Sequence, residues 1–284
     1  MEARRHALRN IWGKTLFNHS ALCSVNLPYR DCGTATTYSR ESGGMSLRLR
    51  SGEVRLSDGS FAPIGLPYGA KARLIMLHLC NLAVKSQSPT VEVKQSFTAF
   101  AHSLGISVNG MALKRLSDQV NRLSAVHMRL DVLTKNTNTT FKGDVFSHLH
   151  AHLPTSPNQR VLFPSIVTFT SDFYSSLIQH AVPLRLEAIS ALKHSSRCLD
   201  IYTWLAWRLR MIPRNRTVTI KWTSLRWQFG EKHIQMKGFK KNFVTALKQV
   251  LLVYPDANVE VIYGGIALKR SIPPIPSKDR ALLV

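Results

Sequence analysis

The clearest hydrophobic pattern in the sequence predicts an amphipathic helix from Lys237 to Tyr254. At about 100° per residue, its apolar residues fall on one side and its polar residues on the other. The apolar side carries Phe239, Phe243, Ala246 and Val250, and the polar side carries Lys237, Lys241, Thr245 and Lys248. We therefore expect one side to pack on a core and the other to present positive charge to solvent.

The rest of the pattern predicts one order of elements twice. The first copy comprises a helix Lys71–Lys85, a strand Thr90–Val93, a short helix Phe97–Leu104 closed by Gly105, a helix Gly110–Leu123, and strands Val126–Leu133 and Phe141–His152. The second comprises a helix Cys198–Arg210, a strand Thr217–Trp222, a short helix Ser224–Phe229 closed by Gly230, the basic helix, and strands Asn258–Tyr263 and Ile266–Arg270. Between the copies the pattern predicts a strand Ile166–Thr170, a helix Phe173–Gln179 capped by Asp172, and a helix Leu186–His194.

This order is that of a winged helix, a helix-turn-helix followed by a β-hairpin. In such domains the second helix of the turn enters the major groove of DNA, and the hairpin lies on the phosphates. The sequence therefore predicts an α+β protein with two tandem winged-helix domains, residues 61–183 and 184–284, the second being the main DNA-binding unit. Residues 1–60 are punctuated by Gly, Ser and Thr, so we expect a mobile N-terminal arm with a short strand pair near Leu47–Phe61.

The charge of the chain strengthens the case for a polyanionic partner. The formal net charge is +22 and the sequence pI is about 10.4. Between Arg208 and Lys248 the only acidic residue is Glu231, whereas basic residues are frequent. Such an excess is tolerated when a polyanion neutralises it, which favours nucleic acid first and an anionic membrane surface second.

Other patterns exclude several classes of protein. The four cysteines, Cys23, Cys32, Cys80 and Cys198, form no C-x-x-C pair, and no phosphate-binding G-x-x-x-x-G-K-[ST] motif occurs. The most apolar run, Leu74 to Val84, is too short to cross a bilayer. We expect a cytoplasmic protein without a membrane segment, cofactor or metal site.

Short motifs occur along the chain from Gly65 onward. They are Gly65-Leu66-Pro67-Tyr68-Gly69, Ser171-Asp172-Phe173-Tyr174, Val182-Pro183-Leu184, Ala191-Leu192-Lys193, the run Leu199 to Leu205, Gln228-Phe229-Gly230, Phe239-Lys240-Lys241, and the run Tyr254 to Val259. Together these motifs resemble those of plasmid replication initiators of the RepA C-terminal family. The resemblance covers about residues 60–272. It implies a plasmid-encoded protein that binds origin repeats, helps to open the duplex, meets host replication proteins and can repress its own promoter.

The residue types predict which side chains contact DNA. Lysines neutralise phosphates, and amides can pair with adenine edges. The predicted DNA-binding residues are Lys237, Lys240, Lys241, Thr245, Lys248 and Gln249 of the basic helix, with the neighbouring Asn242 as a weaker candidate, Lys269 and Arg270 of the second hairpin, and Lys114, Arg115, Asn121 and Arg122 of the first copy.

Two other functions compete with this interpretation. His148-Leu149-His150 fits the His-hydrophobic-His pair of rolling-circle nicking endonucleases, but neither Tyr174 nor Tyr202 is followed by the lysine such enzymes use. We therefore expect no enzymatic activity. A plain transcription repressor would have the same DNA-binding surface. Related initiators use their first unit to pair with another copy, so Lys71–Lys85 and Val126–Leu133 are candidate homodimer interfaces. We favour a core position for the helix, and the choice stays open for the strand.

Overall fold

The structure of the chain, a computed structural model, describes residues 14–55, 58–92, 102, 110–132, 141–149, 166–231 and 234–275. The helices are α1 (Gly69–Ser86), α2 (Gly110–Ala125), α3 (Ser171–His180), α4 (Leu186–Leu192), α5 (Ser196–Arg208), α6 (Trp222–Phe229) and α7 (Met236–Val253). The strands are β1 (Thr15–His19), β2 (Thr37–Ser42), β3 (Met45–Arg50), β4 (Glu53–Arg55), β5 (Phe61–Pro63), β6 (Thr90–Glu92), β7 (His127–Val132), β8 (Phe141–Asp144), β9 (Phe146–Leu149), β10 (Ile166–Phe169), β11 (Ala181–Arg185), β12 (Thr217–Lys221), β13 (Val259–Ile262) and β14 (Gly265–Lys269). The predicted helix Phe97–Leu104 lies outside the described residues.

The fold is a mixed α/β arrangement of helices and several small antiparallel sheets. In the second half the strand order is β12-β14-β13, and in the first half β6-β10-β9 has the same arrangement, with the last strand in the middle. The first half differs because β7 and β8 form an additional hairpin between α2 and β9. The predicted strand Phe141–His152 is therefore broken into β8 and β9, which belong to different sheets, with Val145 fully buried at the break.

Residues 14–55 pack on the rest of the chain, so the expectation of a mobile arm is wrong for this segment. All five residues of β1 are buried, and β1 pairs with β11 in the register Thr15↔Arg185. Strand β3 pairs with β7, which continues to β8, so β2-β3-β7-β8 is one sheet. Local composition does not reveal this packing because the pairing partners lie far away along the chain.

Strand β7 corresponds to the predicted strand Val126–Leu133, and its surroundings decide whether this strand belongs to the core or is free to pair with another copy. Both of its edges are occupied within the chain, by β3 and β8, and its side chains Met128, Leu130 and Val132 are buried. Helix α1 is a core helix, since most of its length from Leu74 to Ala83 is buried. Both elements therefore stabilise the monomer itself.

The two halves share one continuous cluster of buried hydrophobic residues. A buried ion pair joins them: Arg73 Nε of α1 lies 2.7 Å from Asp200 Oδ1 of α5, and Nη2 lies 2.8 Å from Oδ2. Arg73 also donates to the carbonyls of Leu27 and Pro28. The predicted boundary at 183/184 falls inside β11, where Pro183 and Leu184 pair with β1.

Two local details differ from the prediction. Helix α3 is capped by the Thr170 side chain, which accepts from Phe173 N, while Asp172 lies in the first turn. In the described part of the chain, every helix is too short or too polar to cross a bilayer.

Candidate nucleic-acid interface

Helix α7 is fixed by an aromatic cluster on its apolar side. Phe239, Phe243 and Val250 are buried. The ring of Phe243 lies 5.6 Å from that of Phe229 in α6 and 6.0 Å from that of Trp222, with edge-to-face geometry in the second pair. Such aromatic contacts restrict how a helix rotates about its axis. The opposite side of α7 is therefore held outward.

The outward side of α7 is cationic, as predicted. Lys237, Lys241 and Lys248 are exposed, and the helix contains no acidic residue. Among the described residues, no ion pair includes a lysine of α7. Lys240 points to the flank instead: it is half-buried, and its Nζ lies 5.6 Å from the centre of the Trp222 ring. The row of three exposed lysines carries uncompensated charge along one side of the helix.

The polar residues between these lysines have intramolecular contacts. Thr245 Oγ1 donates to the carbonyl of Lys241 at 3.0 Å, which leaves the hydroxyl oxygen able to accept. Gln249 Oε1 accepts from Cys198 Sγ at 3.0 Å. Bidentate pairing with adenine needs both amide atoms, so Gln249 would have to release Cys198. Asn242 is exposed.

The predicted DNA-binding residues of the β13–β14 hairpin lie at its base, whereas other residues lie at its tip. Lys269 pairs with Thr217 at the base of the sheet, about 13 Å along the strand from Gly265. Arg270 Nη1 donates to the carbonyl of Ile212. The tip carries Tyr263, whose side chain is fully exposed, and Lys221 pairs with Gly265 beside the turn.

The tip is tied to α6 through Trp222. Trp222 Nε1 donates to the carbonyl of Tyr263 at 3.2 Å, and the Trp222 backbone N–H donates to Gly264 O at 3.1 Å. Sequence reasoning missed Tyr263 and Lys221 as surface residues near α7. The sequence predicted a strand that runs through Tyr263, whereas in the structure β13 ends at Ile262 and Tyr263 is the first residue of the two-residue turn.

The first-half counterpart, α2, uses its polar side differently. Lys114 and Arg115 are exposed, while Asn121 is half-buried. Arg122 bonds to Asp118 at 3.1 Å, to Asp31 at 3.2 Å and to the Leu66 carbonyl at 3.2 Å, and its guanidinium lies 5.1 Å from the centre of the Tyr68 ring. Arg122 is thus occupied within the molecule.

The described residues include only part of the nicking alternative. Tyr202 is fully buried, and its hydroxyl accepts from the Arg185 backbone N–H at 3.1 Å; burial also raises its pKa well above the usual range. His148 lies in β9, whereas His150 and His152 lie outside the described residues. Within the described ranges, no group of three or more His, Cys, Asp or Glu side chains could hold a metal ion.

Comparisons with known proteins agree with this fold. The crystal structure of selenomethionine derivatives of domains 2 and 3 of RctB is similar with a TM-score of 0.54 at 12% identity, covering 88% of this chain and 98% of that one. A second crystal structure, of RctB domains 2–3 (RctB residues 155–483), has a TM-score of 0.51 at 12% identity and covers 93% and 100% of the two chains. At this identity the likeness concerns the fold alone. A search of curated proteins gave no match.

The sequence itself matches a family model. The RepA_C model, described as plasmid-encoded RepA protein, matches residues 66–224. Helix α7 lies beyond the matched residues, so its basic surface is a feature of this chain that the match does not cover. Because the matched residues make up more than half of its length, the chain belongs to the RepA_C family of plasmid-encoded RepA proteins.

Proposed function

We propose that this protein is a plasmid replication initiator that binds duplex DNA at origin repeats through α7 of its second half. The observation that carries the proposal is the row Lys237, Lys241 and Lys248, exposed along a helix without acidic residues and held outward by its buried phenylalanines. Membership in the RepA family supports a role in replication initiation.

In this proposal the second half is a winged helix. Helices α6 and α7 are the helix-turn-helix, and β13–β14 is the wing. The element order α5, β12, α6, α7, β13, β14 supports it, as does the sheet order β12-β14-β13. The first half is a second winged helix in the same sense, with α2 as the counterpart of α7 and β7–β8 as an insertion.

The proposed contacts divide by chemistry. Lys237, Lys241 and Lys248 neutralise phosphates along the groove that α7 enters, and Lys240 adds charge at its flank. Thr245, Asn242 and Gln249 read base edges. Tyr263 and Lys221 contact the backbone beside the wing tip, while Lys269 and Arg270 contribute from the base of the hairpin. Lys114 and Arg115 give weaker contacts from the first half, where Asn121 is half-buried and Arg122 is bonded to Asp118, Asp31 and the Leu66 carbonyl.

The protein acts here as a binding protein and not as an enzyme. Once bound to repeated sites as a homodimer, it would promote opening of the duplex and recruit host replication proteins. A plain repressor would bind the same DNA without supporting replication, so maintenance of an origin plasmid by the chain distinguishes the two. Nicking of a supercoiled origin plasmid in magnesium would oppose the proposal.

The DNA-binding part is tested by selection and titration. The wild-type chain selects duplexes from a random-sequence pool, and the enriched sequence, called the selected duplex below, is compared with a scrambled duplex of the same composition. If about six cationic side chains contact phosphates, the slope of log affinity against log salt is roughly −5. Equal affinity for both duplexes, or a slope near zero, would refute the proposal.

A further inference from the structure

The turn between α6 and α7 is held by side chains from the N-terminal part of the chain. Arg40 Nη1 donates to the Trp227 carbonyl at 2.7 Å, and Nη2 donates to the Gly230 carbonyl at 2.9 Å. Asn26 Nδ2 donates to the Gln228 carbonyl at 3.4 Å. The last four carbonyls of an α-helix have no partner within the helix, and α6 ends at Phe229. Arg40 and Asn26 therefore satisfy carbonyls at the very end of α6.

These donors are themselves fixed in place. Arg40 Nε donates to the Tyr38 hydroxyl at 2.9 Å, and that hydroxyl donates to the Asn26 carbonyl at 3.0 Å. In return, Gln228 Nε2 donates to the Ser24 carbonyl at 2.9 Å. Asn26, Tyr38 and Arg40 are directly connected, and Ser24 joins them through Gln228; these four residues are called the N-terminal brace below. A network in which each member is bonded restricts the rotamers of all its members.

Arg40 is the member best suited to hold the turn. A guanidinium at the C-terminal end of a helix interacts favourably with the helix dipole, and its planar fork can reach two carbonyls at once. The turn is also tight on its other side: a Cβ at Gly230 would lie 2.2 Å from the Arg226 carbonyl, and Arg226 Nη2 donates to Ile234 O at 3.0 Å. The N-terminal brace adds hydrogen bonds from a distant part of the sequence to this turn.

The angle of α7 depends on this turn. Helix α7 has 18 residues and is therefore about 27 Å long. A tilt of about 10° at its first residue displaces Gln249, about 20 Å along the helix, by about 3 Å, the length of a hydrogen bond. A small opening of the turn would thus move Gln249 away from a base edge while leaving every lysine on the surface, within reach of phosphates.

We propose that Arg40 is a positioning residue for DNA recognition: it sets the angle of α7 by holding the carbonyls of Trp227 and Gly230. The inference rests on the proposed function of α7 as the DNA-reading helix. It assigns a role to a strand, β2, that precedes the residues matched by the family model. Arg40 acts through the turn and does not contact DNA itself.

The test compares Arg40→Met with Arg48→Met. Both substitutions remove one positive charge from the β2–β3 hairpin, but Arg48 is exposed on β3, opposite Ser39, and lies outside the brace. Affinity is measured for the selected and scrambled duplexes across a salt series. We expect Arg40→Met to lower affinity for the selected duplex by about tenfold relative to Arg48→Met, the scale of losing hydrogen bonds to a charged donor. Affinity for the scrambled duplex and the salt slope should match those of Arg48→Met.

Hydrogen exchange supplies the second measurement. The amide of Gly230, which donates to Arg226 O, and that of Ile234, which donates to Glu231 O, should exchange faster in Arg40→Met than in Arg48→Met. Amides in the middle of α1 should be unchanged. Arg40→Lys, which can reach only one of the two carbonyls, should fall between Arg40→Met and wild type in both measurements.

Three results would overturn the inference. One is equal affinity of the two Met variants for the selected duplex. Another is an equal loss on both duplexes, which indicates general unfolding. The third is unchanged exchange at Gly230 and Ile234. If the wild-type chain selects no sequence, the proposed function fails instead, and exchange at the turn alone then decides whether Arg40 holds it.

Discussion

Helices α2 and α7 occupy equivalent places in the two halves, yet their polar sides are used in opposite ways. Both precede strands of sheets with the same order, and both are amphipathic. Near the end of α2, Arg122 fixes the helix to the rest of the molecule by bonding to Asp31 and the Leu66 carbonyl, and it also bonds to Asp118 within the helix. The lysines on the outward side of α7 have no acidic partner among the described residues. The same sequence pattern thus supports internal anchoring in one half and an open charged surface in the other.

The largest expected effect comes from removing the charge of α7. The triple variant Lys237→Ala, Lys241→Ala and Lys248→Ala should lose on the order of 100-fold in DNA affinity, and the salt slope should become shallower by roughly 2.7, because three phosphate contacts disappear. The double variant Lys114→Ala and Arg115→Ala on α2 is the matched control and should lose less than tenfold. Fluorescence anisotropy with labelled duplex measures both. Equal losses would abolish the distinction between the halves.

Mild acid should weaken the packing of β1 in the first half through the buried side chain of His19. Burial, with a smaller contribution from His180, lowers the pKa of His19 to about 3. Its Nδ1 accepts the Ala21 N–H at 3.0 Å and its Nε2 lies 3.0 Å from Ser176 Oγ, an arrangement that requires the neutral ring. Because the folded pKa lies below the unfolded value of about 6.5, stability is full above that value and is lost as pH falls toward 3.

At pH 5 the loss from His19 alone should be about 2 kcal/mol. Urea unfolding at pH 7 and pH 5 measures it. His19→Gln, which retains an acceptor for Ala21, should show a smaller pH dependence than wild type. His78, whose pKa burial also lowers to about 3, should leave part of the acid sensitivity in that variant. Identical pH dependence in the two proteins would show that His19 is not the sensor.

Arg122→Met and Lys241→Ala should separate stability from DNA binding. Arg122 loses its ion pairs and the Leu66 carbonyl bond, so Arg122→Met should lower the free energy of unfolding by about 1–2 kcal/mol, with affinity changed less than threefold. Lys241 is exposed, so Lys241→Ala should leave stability within about 0.5 kcal/mol while weakening binding to every duplex. Denaturant unfolding and anisotropy on the same samples provide the comparison. The reverse result would place the main DNA contacts on α2 instead of α7.

The smallest expected effects come from base reading and the hairpin tip. Gln249→Ala should lower discrimination between selected and scrambled duplexes by about three- to tenfold, the low end of one amide–base contact. Tyr263→Ala should lower affinity for both duplexes by a few-fold without altering discrimination. Competition titration measures both ratios. A loss of discrimination in Tyr263→Ala would show that the tip reads bases.

Local elements were largely predictable from the sequence. The predicted helix Lys237–Tyr254 is α7, Met236–Val253, and the predicted pair Asn258–Tyr263 and Ile266–Arg270 is β13 and β14. These elements were found because burial of one side leaves a repeat of 3.6 or 2 residues in the sequence. The contacts of the predicted site residues with DNA stay predictions.

The N-terminal region and the partners of single charges were not predictable. Strand β1 has no local signal that names β11 as its partner, and the sequence around Arg122 does not indicate that Asp31 reaches it. Lys269 and Arg270 were assigned to the wing, but only the register of β14 shows that they lie at its base.

The sequence by itself determined which side of α7 is apolar, the order of elements from α5 to β14, and the family to which the chain belongs. Only the tertiary structure decided which basic side chains stay exposed and which are held by ion pairs and hydrogen bonds inside the molecule. The physical reason is that hydrophobic periodicity is a property of residues that are neighbours in the sequence. The pairing of Arg122 with Asp31, and of Arg40 with the end of α6, joins residues that are far apart in the sequence and meet only when the whole chain is folded.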